Sequence, residues 1–319
     1  MPKQHGKTGE KLGDWLKIEF SAPMEMVDAV NNFVTEIGAQ GAFQETLEPL
    51  SSNGPPVPPS GETLKAFLPF DLRLEQRLAA LQVYIDSMAE IFPELEKPRF
   101  RTEIIRDPDW GEAWKKYFKP LRASRNIVIK PTWERFSPAG REIVIEIDPG
   151  MAFGTGQHPS TRMCLEAIDE ILLKERPVEP WRVLDVGTGT GILGIACAKL
   201  GADHVLCVDN DELATEIARE NVRINRVEGH VTVTAQEVAE ITEQFEMVVA
   251  NLTAKLLVEL YPHLVRHVSP GGYLVISGII EQNQPEIEAR FLGDAFPTHR
   301  LITEEEWVCY LLKKAGERP

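Results

Sequence analysis

The sequence predicts an α/β chain in two parts, a smaller ferredoxin-like α+β domain followed by a Rossmann-like, mostly parallel, doubly wound sheet. Three observations predict it. From about residue 160 onward, short apolar runs alternate with amphipathic stretches at the spacing of βαβ units. The residues before 106 read instead as strand, helix, strand, strand, helix, strand, the split βαβ order. Finally, a glycine-rich stretch, "VLDVGTGTG" at 183–191, lies between a strand-like run and a helical one, where open α/β sheets bind their ligands. A length of 319 residues suits two domains.

The first 13 residues are polar and lack the apolar core of a secretory signal, so a disordered lead-in is expected there. The ferredoxin-like domain is expected over 14–106. It opens with the strand "WLKIEF" at 15–20 and a helix over 23–37 that places Met26, Val30, Phe33 and Ile37 on one face before Gly38 stops it. "QGAFQETL" reads as a strand, "SSNGPPVPPS" at 51–60 as a Pro-rich surface loop, and "TLKAFLPF" as the returning strand. A helix over 72–91 and the strand "RFRTEIIR" complete the domain.

Residues 107–125 are expected to form a linker helix. Within it, Trp110, Trp114, Tyr117 and Phe118 suit packing between the two domains. The second domain is expected over 126–319. It begins with the strands "NIVIKPTW" and "EIVIEI", followed by a helix over 160–173. The alternation then runs through strand "RVLDV", helix 192–200, strand "HVLCVD", helix 212–225, strand "VTVTA", strand "EMVVAN", helix 254–267 and strand "GYLVIS". A helix over 285–291 and a strand pair ending in "WVCYLLKK" close it, and an antiparallel edge is expected near the C-terminus.

Composition narrows the function. A net charge of −15 argues against a direct grip on nucleic acid, whose phosphates demand clustered Lys and Arg, and suits a basic partner. No apolar run reaches the roughly 20 residues of a membrane span. Cys164, Cys197, Cys207 and Cys309 are scattered without a CxxC pair, so reduced, buried thiols in a cytoplasmic protein are expected. His263 and His267 stand at helical i, i+4 spacing without a third ligand, so no metal is expected and a solvated helix face is the reading.

The glycine loop reads in two ways. Gly189, Gly191 and Gly194 match the dinucleotide fingerprint, but Asp185 and Gly187 occupy the strand end where pyrophosphate would sit, and a carboxylate repels it. The same charge attracts a ligand carrying an ammonium and a sulfonium, such as S-adenosyl-L-methionine. Asp209 ends the next strand 22 positions after Gly187, where a carboxylate can accept from both ribose hydroxyls. Asp185, Gly187, Gly189, Gly191 and Asp209 therefore form a candidate methyl-donor site. Purely structural glycines would explain the loop but not both acids. Asn251 ends a later strand in "VVANLTAK" and could accept from an attacking amine while donating to the cofactor carboxylate; Asn is also a common turn former. Gln236 and Glu237 are candidates for the adenine contact.

A second glycine run, "DPGMAFGTGQHPST" at 148–161, lies before this loop. It lacks the lysine of a phosphate-binding Walker loop. Together with "VLDVGTGTG", "VDNDE", "VVANLTAKLL" and "EEWVCYLLKK", it resembles the ribosomal protein L11 methyltransferases (PrmA-type), over nearly the whole chain. The resemblance implies a class I S-adenosylmethionine-dependent methyltransferase that modifies lysine side chains and the N-terminal amine of ribosomal protein L11, with the ferredoxin-like domain holding that protein and the linker letting the catalytic domain swing. It further implies that Phe153, Gly154 and Thr155 line the substrate entrance, that His158 braces the turn, and that Thr161 contacts the methyl donor. The two glycine runs would then be two walls of one site.

Asn251 and the backbone near Leu252 are expected to orient the amine, because the motifs offer no dedicated base. Thr253, Lys255 and the insertion at 51–60 depart from the family pattern. A monomer is expected. The alternative is a lysine methyltransferase acting on another protein. A base methyltransferase would call for a proline and an aromatic after Asn251, and a dehydrogenase for a phosphate-tolerant strand end; neither is present.

Overall fold

The computed structural model describes residues 15–316 except 24–25, 27–28, 31–32, 35–36, 45–62, 70, 72, 94, 106–114, 116–117, 149–153, 155 and 176–180. One compact unit ends at Phe118 and the other begins at Lys119.

The first unit contains β1 (Trp15–Ser21), β2 (Gln40–Gln44), β3 (Thr63–Pro69), α1 (Leu74–Ile91) and β4 (Arg99–Ile105) in one antiparallel sheet of order β2-β3-β1-β4. That order is the ferredoxin-like one. Alternation along β1 sends Leu16, Ile18 and Phe20 to the helix side, where Leu81, Ile85 and Met88 of α1 cover them. Met26, Val30 and Val34 do the same from the helical residues between β1 and β2. Val34 takes the buried place expected of Phe33, whose ring stacks on Tyr84 at 4.0 Å instead. The expected 51–60 loop lies outside the described residues.

The connecting helix expected over 107–125 falls largely outside them as well, and its last part is not helical. Leu121–Arg122 is a strand, β5, pairing antiparallel with β6 (Ile127–Lys130), which in turn pairs in parallel with β7 (Ile143–Glu146). Pro131 ends β6 three residues before the expected boundary because proline removes a ladder donor. The buried Asp169 fastens this small sheet to α2 (Pro159–Glu175): it accepts from Ser124 Oγ at 2.6 Å, from the Asn126 amide at 3.1 Å and from Asn126 Nδ2 at 3.1 Å.

The large sheet has seven strands in the order β10-β9-β8-β11-β12-β14-β13. Its elements are β8 (Arg182–Val186), α3 (Ile192–Lys199), β9 (His204–Val208), α4 (Glu212–Ile224), β10 (Val231–Thr234) and β11 (Phe245–Asn251), then α5 (Ala254–His267), β12 (Val268–Ile280), α6 (Gln284–Phe291), β13 (Thr298–Glu304) and β14 (Trp307–Lys313). Strands β8 to β12 run in parallel. The antiparallel edge expected near the C-terminus is formed by a hairpin: β14 lies antiparallel between β12 and the edge strand β13. Both faces of β8 are covered, so its run from Val183 to Val186 is wholly buried.

His267, expected on a solvated face, is fully buried. Its Nδ1 lies 2.8 Å from the Glu243 carbonyl and its Nε2 3.0 Å from that of Val238, so the ring serves loop carbonyls rather than water. All four cysteines are buried and free, and burial pushes the Cys164, Cys197 and Cys207 thiols well up. No helix among the described residues is long and apolar enough to cross a membrane.

Replacing Asp169 by Ala strands the half-buried amide of Asn126 and the Ser124 hydroxyl. We expect a loss of about 3 kcal/mol, measured as a lower urea midpoint at unchanged m-value.

Candidate active site

At the carboxyl end of β8 the chain must turn into α3 within a few residues, and three glycines make the turn. Gly187, Gly189 and Gly191 have φ of +70°, +54° and +82°, a region costly for side-chain-bearing residues. A Cβ on Gly187 would also come within 2.4 Å of Leu252 Cδ2. The third glycine of the fingerprint-like spacing, Gly194, serves packing, since a Cβ there would lie 2.3 Å from Cys207 Sγ.

Asp185 sits beneath this turn with 1% of its surface exposed. Its Oδ2 accepts from Thr188 Oγ1 at 2.6 Å and from the Gly194 amide at 3.0 Å. Its Oδ1 is buried without a hydrogen-bond partner. Burial pushes the carboxyl up to about 6, against the lowering effect of those two hydrogen bonds. Asp209, at the end of β9, is half-buried; Oδ2 accepts from the Gly189 amide at 2.9 Å and Oδ1 from the Asp211 amide at 3.1 Å. A carboxylate has about four lone-pair sites, so each oxygen keeps one for a hydroxyl donor.

The two glycine runs meet. Thr190 Oγ1, in the Gly187–Gly191 turn, donates to the carbonyl of Gly154 at 2.6 Å, and a Cβ on Gly154 would press to 2.9 Å from that same hydroxyl. Further along, His158 caps α2. Its carbonyl accepts from the amides of Thr161 and Arg162, both at 3.1 Å, while its Nδ1 accepts from the Ser160 amide at 3.2 Å. Proline follows at the first helical position, where no amide is needed. Thr161 is buried, and its Oγ1 accepts from Asn251 Nδ2 at 3.3 Å. Phe153 and Thr155 lie outside the described residues.

Asn251 and Leu252 leave β11 above the sheet, and the Leu252 amide donates to Ser277 O at 3.0 Å. Thr253 has a local reason to be there, since it is the N-cap of α5. Gln236 and Glu237 are exposed in the loop after β10, the strand that neighbours β9. Residues with no earlier role also belong to the site. Gly278, at φ +83°, lies where a Cβ would be 2.4 Å from Leu252 O and 3.0 Å from Asn251 Oδ1. A glycine inside the apolar run "VISGII" is the signal for it, because such a residue marks a bulge or a close backbone approach, and the register of β12 with β14 does shift there. Among the described residues, no group of three His, Cys, Asp or Glu could hold a metal ion.

The family profile described as "Ribosomal protein L11 methyltransferase (PrmA)" matches residues 14–315. A protein of that name from Geotalea uraniireducens is 36% identical over 303 residues, covering 92% of this chain and 96% of its own. One from Syntrophotalea carbinolica is 38% identical over 298 residues, covering 92% and 96%. The crystal structure of a ribosomal protein L11 methylase from Lactobacillus delbrueckii subsp. bulgaricus superposes with a TM-score of 0.54 at 30% identity, over 61% of this chain and 98% of that one.

Because Asp185 holds its proton more tightly folded than unfolded, its contribution to stability is full in acid and is lost as pH rises through about 6. Ionising it costs the fold about 3 kcal/mol. The ligand-free protein should therefore lose stability between about pH 4 and pH 6.5 relative to Asp185→Asn, measured by urea unfolding at several pH values.

Proposed function

The chain belongs to the ribosomal protein L11 methyltransferase family, and on that premise we propose that it methylates the lysine side chains and the N-terminal amine of ribosomal protein L11. Its fold is that of a class I S-adenosylmethionine-dependent methyltransferase, and its cosubstrate is S-adenosyl-L-methionine. The residues present fit that molecule. The observation that carries the reading is a buried, unpartnered carboxylate oxygen of Asp185 beneath a turn whose three glycines leave the backbone bare. A cationic ligand is what such a site lacks.

When bound, S-adenosyl-L-methionine supplies an electrophilic methyl group on a sulfonium. Gly187, Gly189 and Gly191 offer side-chain-free backbone, the remaining lone pairs of Asp209 accept ribose hydroxyls, and Asp185 lends negative charge from below. Thr161 holds the Asn251 amide with Nδ2 turned toward α2, which leaves Oδ1 to accept an N–H of the incoming amine. Phe153, Thr155 and the Leu252 backbone flank the entrance in this reading.

A lysine ammonium must lose a proton before it can attack, which costs about 4 to 5 kcal/mol at neutral pH. Asn251, Leu252 and Thr161 provide no base, so the proton goes to water and the protein's share is orientation. The acidic surface, at net charge −15, speeds the approach of a basic ribosomal protein. The modification of a ribosomal protein also fits the cytoplasm.

Intact-mass spectrometry of recombinant ribosomal protein L11, incubated with the enzyme and S-adenosyl-L-methionine, should show increments of whole methyl groups that map to lysines or the N-terminus. No increment with donor binding intact would turn the assignment to another protein substrate. Asn251→Ala should lower the transfer rate about 100-fold, the scale of a misplaced nucleophile. Full turnover in that variant, at unchanged donor affinity, would sink the role given to Asn251.

A further inference from the structure

The run "EEWVCYLLKK" contributes nothing to the donor loop or to the amine site as described so far. Its first residues nevertheless form the turn of the β13–β14 hairpin, and the strand residues flanking that turn reach Asn251 and Leu252 by two routes. On the first, Glu304 Oε1 accepts from Arg162 Nε at 3.0 Å, and Arg162 Nη1 donates to the carbonyl of Gln157. The Trp307 ring meets His158 edge-on, with centroids 4.6 Å apart. Glu304 and Trp307 thus grip the residues that cap α2, and Thr161 in that cap holds Asn251 Nδ2. On the second route, Val308 O accepts from Ser277 Oγ at 3.1 Å, and Ser277 O accepts from the Leu252 amide at 3.0 Å. One hairpin therefore restrains the Asn251 side chain through α2 and the Leu252 backbone through β12.

We propose that Trp307 and Glu304 are positioning residues for methyl transfer, fixing the Asn251 side chain by clamping the His158–Arg162 cap. Neither touches the amine. They act by narrowing the orientations of the Asn251 amide, which is where a small displacement is most costly for an in-line transfer. The kinetic part of this proposal rests on the function proposed above; the structural part does not.

The test compares Trp307→Ala, Glu304→Gln and Trp307→Phe with the wild-type enzyme in three measurements. These are single-turnover transfer to ribosomal protein L11 at saturating S-adenosyl-L-methionine, donor affinity by equilibrium dialysis, and amide hydrogen exchange by mass spectrometry. Trp307→Ala and Glu304→Gln should slow transfer about tenfold or more while the donor dissociation constant stays within about twofold. Exchange should quicken at the Thr161 and Arg162 amides and stay unchanged in α3. Trp307→Phe, which keeps a ring against His158, should restore most of the rate. Unchanged exchange at Thr161 and Arg162 overturns the clamp. So does a loss of rate matched by a loss of donor affinity and faster exchange in α3, since that is general destabilisation. If wild-type enzyme leaves ribosomal protein L11 unmodified while Trp307→Ala still loosens the cap alone, the substrate assignment fails and the clamp stands.

Discussion

A carboxylate kept out of water near the end of β8 governs the layout of the catalytic unit. Asp185 would ionise far more readily at the surface; inside, it must take hydrogen bonds from whatever the turn above it provides. Thr188 and the Gly194 amide provide them, which fixes the path from β8 into α3 and draws that helix down until only hydrogen fits on Gly194 against Cys207. The carboxylate is left half-satisfied. An orphan oxygen of this kind is what the proposed methyl-donor site would offer a cationic ligand.

Everything else at the site is arranged around that turn by short, specific contacts. The donor loop holds the first glycine run through Thr190 and Gly154, and the first run holds Asn251 through Thr161. Asn221 Nδ2 secures the loop from behind by donating to Thr190 O at 2.9 Å. Most of these groups are hydroxyls and amides on residues in helix caps or strand ends, so their geometry is set by backbone that is already hydrogen-bonded. In the proposed reaction, orienting an amine calls for such rigidity rather than for a strong base.

Much of this was legible from residue patterns. The buried run of β8, the positive-φ glycines and Asp209 at the next strand end are local features, and periodicity alone locates them. The ferredoxin-like order of the first unit also followed from element order. What escaped depends on partners distant in sequence. Nothing near His267 signals that its ring nitrogens will meet the carbonyls of Val238 and Glu243, because i, i+4 spacing to His263 is also what a wet helix face shows. Leu121–Arg122 is too short to carry a strand pattern and exists only through its pairing with β6. Thr253 looks like a departure from the family until its capping bond is seen, and Gly278 matters because of a carbonyl 26 residues earlier in the chain.

The reversed strand of the large sheet has a consequence in time as well as in space. β14 lies between β12 and β13, so β12 lacks a neighbour on one side until the residues up to Lys313 have been synthesised. The hairpin that steadies Asn251 and Leu252 comes with that last strand. Strands β8 to β11 and the glycine turn precede it in the chain, whereas the β12–β14 pairing has to wait for residues up to Lys313. An enzyme whose proposed substrate is itself a ribosomal protein thus completes this sheet only once residues up to Lys313 have been made.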